Sequence, residues 1–283
     1  MGIARPSLDV SARTLGRFEV LKAIGEGRQG IVYLAEDPDL LRLVTVNMLS
    51  NRPGLGAQLL EVARSVSRLD HPNIVSLLEY GEHEEIPYLV YEFVEGRSLR
   101  SHLDAKPQPS IDQALRWTGQ ILAGVHCAHA AGILHGDLNP TNVMIDRSGN
   151  ARIVNLGLTF TDPGHAGGDE TLSNRTLYQA PEQTSGRSPG PGIDIFAAGL
   201  MLFEMLAGKH PLSAAGHLRA SGDSAYEPFP SVTEFLPELA GPWDSILKRA
   251  LDMVPSERFS SALEMGEAIQ DMVAARADAM QTD

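Results

Sequence analysis

The stretch Gly132–Leu158, GILHGDLNPTNVMIDRSGNARIVNLGL, constrains this chain more than any other. An apolar entry (Ile133, Leu134) leads into a tight polar loop from His135 to Asn142. A short strand, a turn at Ser148, Gly149 and Asn150, and a second strand ending at Asn155, Leu156 and Gly157 follow. Two strands joined by a Gly-Asn turn hold polar side chains at one mouth, which is how a rigid scaffold presents catalytic or metal-binding groups. Such a unit needs a sizeable body around it. With 283 residues, 43% of them hydrophobic, the chain can bury a substantial core as one large domain or two lobes.

On the N-terminal side the pattern reads as strands. Residues 17–37, RFEVLKAIGEGRQGIVYLAED, alternate apolar and polar on both sides of Gly25–Gly30, a hairpin with a glycine-rich turn. Arg42–Leu49 is a third strand, rich in β-branched residues. Ala57–Leu69 carries Leu59, Val62, Ala63, Val66 and Leu69 on one helical face and stops at Asp70-His71-Pro72-Asn73. Ile74–Tyr80 and Tyr88–Phe93 are two further strands around the polar turn GEHEEIP. Five strands and one helix predict a small α+β lobe over 17–94, after an N-terminal tail over 1–16.

From Ser98 the pattern turns helical. Ile111–Ala131 is long and apolar on more than one side. Ile193–Gly208 is apolar nearly all round, as a helix at the centre of a domain must be. Trp243–Met253 and Ser260–Ala275 are amphipathic, and Pro211–Pro242, rich in Pro, Gly and Ser, reads as a surface segment with short helices. A hinge near Glu92–Gly96 thus leads to a helical lobe over 95–276 and a C-terminal tail over 277–283.

A net charge of −13 argues against a nucleic-acid or anionic-membrane surface and fits partners that are proteins or small molecules. The single Cys127 has no intramolecular disulfide partner and reads as a packed residue, so a reducing, cytoplasmic setting is expected. No signal peptide is seen, and the longest apolar stretch, Ile195–Leu206, is broken by Glu204, so no membrane span is expected in this chain. Lysine is scarce: only Lys22, Lys106, Lys209 and Lys248 occur.

Gly25-Glu26-Gly27-Arg28-Gln29-Gly30-Ile31-Val32 fits GxGxxGxV and lies between two strands. It is followed in order by HPNIV at 71–75, YLVYEFVEG at 88–96, HGDLNPTN at 135–142, YQAPE at 178–182, DIFAAG at 194–199 and Arg258 in PSERF. Over about residues 17–276 this series resembles a bacterial Ser/Thr protein kinase domain. The resemblance implies an α+β, bilobal kinase-like fold, with a small five-stranded lobe carrying one helix and a larger, mainly helical lobe. It also implies an architecture in which Glu182 pairs with Arg258, Asp194 ties the buried helix to the catalytic loop, and His135 stacks in a hydrophobic spine. ATP would contact Gly25, Gly27, Gly30, Val32, Thr45, Tyr91, Glu92, Val94 and Met144. Asp137 stands at the catalytic base, and Asn142 and Asn155 at the two Mg²⁺ ligands.

Several residues depart from the family pattern. Asn47 replaces the phosphate-gripping lysine of VAIK, and an amide brings no charge; Lys22 lies on the first strand, leaving Arg28 as the one candidate substitute. Val62 stands where the lysine's glutamate partner belongs, with Glu61 about 100° round the helix. Asn155 in NLG replaces the DFG carboxylate, a poorer ligand for a hard cation. Asn139 replaces the catalytic-loop lysine, and Gly136 the arginine before Asp137. Thr45 and the gatekeeper Tyr91 narrow the adenine space, and Arg175 replaces a substrate-loop threonine.

The resemblance together with these departures implies a pseudokinase, a scaffold or allosteric regulator of other signalling proteins, an active kinase among them, with weak or absent binding of ATP and Mg²⁺. The alternative is a low-activity or unconventional Ser/Thr kinase that uses Asp137. A third reading is a module phosphorylated on Thr159–Thr176, at Thr159, Thr161, Thr171, Ser173 or Thr176, against an ordinary loop there.

Overall fold

The computed structural model describes residues 14–27, 30–49, 55–158, 176–185, 188–211, 231–237 and 242–281. The glycine-loop tip with Arg28, the positions Arg175, Thr159, Thr161, Thr171 and Ser173, and most of Pro211–Pro242 lie outside the described residues.

The small lobe is one antiparallel sheet of β1 (Thr14–Leu15), β2 (Phe18–Gly27), β3 (Gly30–Asp37), β4 (Arg42–Leu49), β5 (Leu77–His83) and β6 (Ile86–Glu92), in the order β1-β2-β3-β4-β6-β5. Alternation along β4 decides what each face does. Val44, Val46 and Met48, all fully buried, pack with Leu15, Phe18, Tyr33, Ala35, Tyr88 and Val90. Thr45 and Asn47 therefore point to the opposite face, beside Tyr91 and Leu89 of β6.

On that opposite side lies helix α1 (Leu55–Val66), whose Leu55, Leu59, Ala63 and Val66 are buried. They share a cluster with Leu77, Leu89 and Tyr91 of the sheet, with Val94 at the hinge, and with Ala128, Leu156 and Leu158 of the large lobe. One apolar core thus spans both lobes.

Several boundaries in the small lobe differ from the sequence expectation. The tail expected over 1–16 gives way to β1: Leu15 is fully buried against Phe18, and a strand of two residues is too short to show a period. Among the described residues the small lobe therefore has six strands, five long and one minimal. The polar stretch GEHEEIP is mostly strand, turning only at Glu84 and Glu85, both at positive φ (49° and 66°). Two positive-φ residues are what a tight hairpin turn requires, and Asn-Gly is its usual signal. Ile74 forms an isolated parallel bridge to Ile153 rather than starting a strand.

In the large lobe a small sheet, β7 (Gly96–Ser98), β8 (Val143–Asp146) and β9 (Ala151–Ile153), carries the polar loop at its mouth. Helix α2 (Leu99–Leu103) follows β7, and α3 (Ile111–Ala130) starts at a capping box between Ser110 and Gln113. Trp117 Nε1 of α3 donates to Gly149 O (2.9 Å) and pins the β8–β9 turn. After the short α4 (Pro181–Thr184) comes α5 (Gly192–Ala207), with every residue from Ile193 to Leu206 buried; it ends at Gly208 with φ +70°. Helices α6 (Pro242–Ala250) and α7 (Ala262–Gln281) close the lobe. The last helix runs through positions expected as a tail from 277.

Two buried polar clusters brace this lobe. Arg258 and Glu182 form a bidentate pair (2.7 and 2.9 Å), and Arg258 also donates to Gly192 O and Asp252 O, so the guanidinium is well satisfied although fully buried. The second cluster joins α2, α5 and the residues before α4. Arg100 donates to Glu204 (2.9 Å), the Tyr178 hydroxyl donates to the same carboxylate, and His210 meets the Tyr178 ring edge-on at 4.9 Å.

Burial lowers the pKa of His210 to about 4, against a backbone contact to Leu177 that works the other way. The unfolded chain therefore takes up this proton first, so stability held above the ordinary histidine range is lost as pH falls from about 6.5 towards 4. Between pH 7 and pH 5 the loss is about 2 kcal/mol from this residue. Urea unfolding at the two pH values should show this difference, and the variant His210→Gln should lack it.

Candidate nucleotide and catalytic site

The polar loop is shaped by one buried carboxylate. Asp194, near the start of α5, accepts the backbone N–H groups of His135 and Gly136 (2.9 Å each) and pairs with His129 Nε2 (2.8 Å). His135 is buried, and its Nε2 lies 3.1 Å from Val154 O. Gly136 has φ +74°, a conformation that glycine adopts without the penalty other residues carry. Its carbonyl accepts from Gln183 Nε2 (2.8 Å), so α4 holds the loop from below.

The half-buried Asp137 is surrounded by amides. Asn139 Nδ2 donates to its backbone O (2.9 Å) and to Oδ1 (3.2 Å); Asn142 Nδ2 donates to the same backbone O (2.8 Å) and reaches Oδ2 at 3.5 Å. Asn139 Oδ1 in turn accepts from Thr141 N and Oγ1. Asn139, which the resemblance sets at the lysine position of the loop, therefore folds back onto the loop itself.

The amides continue out of the loop. Asn155 Nδ2 donates to Asn142 Oδ1 (3.0 Å), and Asn47 Nδ2 donates to Asn155 Oδ1 (3.3 Å). Asn155 has φ +61°, which asparagine tolerates better than most side chains. A continuous chain of hydrogen bonds thus runs from β4 of the small lobe to Asp137. Mg²⁺ prefers anionic oxygen in near-octahedral array. Here it would meet one carboxylate and two neutral amide oxygens, each already accepting an N–H, which is a poor fit. Among the described residues no cluster of three or more His, Cys, Asp or Glu could hold a metal.

Helix α1 faces this chain through carbon. Val62 is half-buried, and a Cβ added to Gly157 would lie 3.2 Å from Val62 Cγ1 and 3.5 Å from Ile133 Cγ2. Glu61 turns to the surface and pairs with Arg64 (2.9 Å), its side chain 74% exposed. At the other end of α1, the Tyr80 hydroxyl hydrogen-bonds Gly56 O and Glu82.

Of the residues the resemblance sets at the adenine, Tyr91 and Val94 are buried and Met144 half-buried in the interlobe cluster. Tyr91 is fully desolvated, and burial pushes its phenol far above the ordinary range. The hinge residue Glu92 would be raised by burial. The Ser76 N–H (2.8 Å) and the Arg152 guanidinium outweigh that and lower its pKa. Val32 sits opposite both Gly25 on β2 and Asn47 on β4. A Cβ on Gly30 would fall 1.8 Å from Met48 O, so only glycine fits there. Gly25 and Gly27 lie within β2, and Lys22 is exposed on the same strand.

The structure thus brings Val32, Asn47, Asn155, Asn142, Asn139 and Asp137 together. Three contributors were not anticipated. Thr141 follows Asn139 at the spacing of an Asx turn, a readable signal. Gln183 and Arg152 have no local signal, since their partners are 47 and 60 residues away.

A sequence profile of the protein kinase domain matches residues 18–272. The chain belongs to the protein kinase family. Its relatives include the serine/threonine-protein kinase PrkC of Bacillus subtilis, 33% identical over 271 residues, which takes in 90% of this chain and 40% of that protein. A probable serine/threonine-protein kinase PknB of Lactococcus lactis is 29% identical over 255 residues, 88% of this chain and 41% of that one. The serine/threonine-protein kinase pkn2 of Myxococcus xanthus is 30% identical over 268 residues, 90% of this chain and 32% of that one. The chain spans about two-fifths or less of these relatives. No helix among the described residues is long and apolar enough to cross a membrane.

In this kinase domain the contact between α1 and the loop after β9 is apolar, so it depends on shape. Gly157→Ala places a methyl group at φ +77° against Val62 and should cost about 1–2 kcal/mol. Urea denaturation checks this, and an unchanged midpoint would show that the contact is slack.

Proposed function

We propose that this kinase domain is a pseudokinase that works as a scaffold or allosteric regulator of signalling proteins, an active kinase among them. Phosphoryl transfer asks a protein for positive charge and metal placed around the γ-phosphate. The observation that supports the reading is the chain Asn47–Asn155–Asn142, which puts hydrogen-bonded neutral amides at the lysine and both metal-ligand positions. Val62 on Gly157 agrees with it, since an uncharged Asn47 has no use for a glutamate partner.

If each of the four replaced groups (Asn47, Val62, Asn139, Asn155) removed one tenfold factor, about 1.4 kcal/mol, activity would fall by orders of magnitude. Such losses are not additive when groups act as a unit. The frame that supports Asp137 remains, and with it a surface on which kinase-fold proteins can be read by partners.

A second reading is a low-activity Ser/Thr kinase transferring the ATP γ-phosphate with Asp137 as base. It is favoured by the geometry of Asp137, held between Asn139 and Asn142, and by the names of the relatives. Phosphate incorporation from radiolabelled ATP, with Mg²⁺ or Mn²⁺, separates the two. The pseudokinase reading expects the wild-type signal to equal that of Asp137→Ala; an Asp137-dependent signal would overturn it.

A further inference from the structure

We infer that the amide chain Asn47–Asn155–Asn142 is a metal-free tie between the lobes, filling the place a divalent cation would occupy and closing the ligand-free cleft to such a cation. The inference rests on the pseudokinase reading of this cleft, but it concerns the chain without nucleotide and so can fail separately.

An asparagine amide presents an acceptor on one side and donors on the other, whereas a carboxylate only accepts. In the structure the amides point the same way: Asn47 donates to Asn155, Asn155 to Asn142, and Asn142 to the backbone and carboxylate oxygens of Asp137. Every link joins a donor to an acceptor because the chain ends on an acceptor and holds neutral amides before it.

Now let Asn155 become Asp. The bond from Asn47 survives, since a carboxylate accepts it. Asn142 then lies between two acceptors, residue 155 and Asp137. If its amide keeps its orientation, its Oδ1 faces the new carboxylate across the 3.0 Å now spanned by a hydrogen bond. If it flips, the oxygen faces Asp137 O, 2.8 Å from the present nitrogen. Neither orientation satisfies all links. A divalent cation would resolve the conflict by accepting electron pairs from these oxygens. The neutral Asn155 is therefore the choice that makes the cleft self-sufficient without metal.

The tie also bridges the lobes. Asn47 is buried on β4, whereas Asn155 follows β9, and their bond joins residues 108 positions apart. The Val62–Gly157 contact and the Arg152–Glu92 pair reinforce the same junction.

The experiment is a thermal-shift titration of wild type, Asn155→Asp and Asn155→Ala, without nucleotide, in chelator and then in millimolar MgCl₂ or MnCl₂. Wild type is expected to melt at the same temperature throughout. Both variants should melt lower in chelator, by about 2–4 °C, the shift a chain of this size shows for one lost hydrogen bond. Only Asn155→Asp should regain that loss with metal. Metal-induced stabilisation of wild type would overturn the inference, as would an Asn155→Asp variant as stable as wild type in chelator or one that metal does not rescue. If Asn155→Asp does not fold in chelator, its recovery in MnCl₂ and the wild-type titration carry the test.

Discussion

The Asp194 carboxylate, buried at the start of α5 and accepting two backbone N–H groups from His135 and Gly136, is the constraint on which the rest of the site depends. A carboxylate is expensive to bury unless its lone pairs are used. Here they are used to fix the entry of the polar loop onto the buried helix α5 of the large lobe. From that anchor the loop turns through Gly136, is braced by Gln183, and delivers Asp137, Asn139 and Asn142 in a fixed relation. The Glu182–Arg258 pair does the same for α4, which carries Gln183.

What stands on this frame differs in kind from the frame. Among the described residues the frame holds its buried charges in pairs, Glu182 with Arg258, Glu204 with Arg100 and Asp194 with His129. Across the cleft stand neutral amides and carbon: Asn47 to Asn155 to Asn142, and Val62 against Gly157. These residues suit one another: an ionised group at one of these positions would meet neutral hydrogen-bond partners rather than an opposite charge. That coupling ties local chemistry to stability and favours a cleft whose lobes are held by the protein itself.

Much of this was legible in the sequence because family motifs mark buried, chemically demanding positions. Asp194, Glu182 and Arg258 stand in the predicted relations, and the long apolar run at Ile193–Gly208 is the central helix. The packing of Val62 with Leu59 and Val66 was equally readable from helical spacing. The two-residue strand β1 was not, because it is too short to carry a period. Nor was the Glu84–Glu85 turn, whose positive φ angles lack the Asn or Gly that normally signals them. The amide chain was least legible of all. The resemblance alone sets Asn47 and Asn155 where the family carries charge; that they donate and accept in one direction depends on strands and loops brought together over 108 residues.

The side-chain amide signals of Asn47, Asn142 and Asn155, followed by nuclear magnetic resonance in the nucleotide-free protein, report that chain most directly. If the chain holds the cleft, the three amides exchange slowly with solvent and keep their chemical shifts when Mg²⁺ is added. Fast exchange without metal, or a shift of the Asn142 and Asn155 signals on adding Mg²⁺, would contradict it.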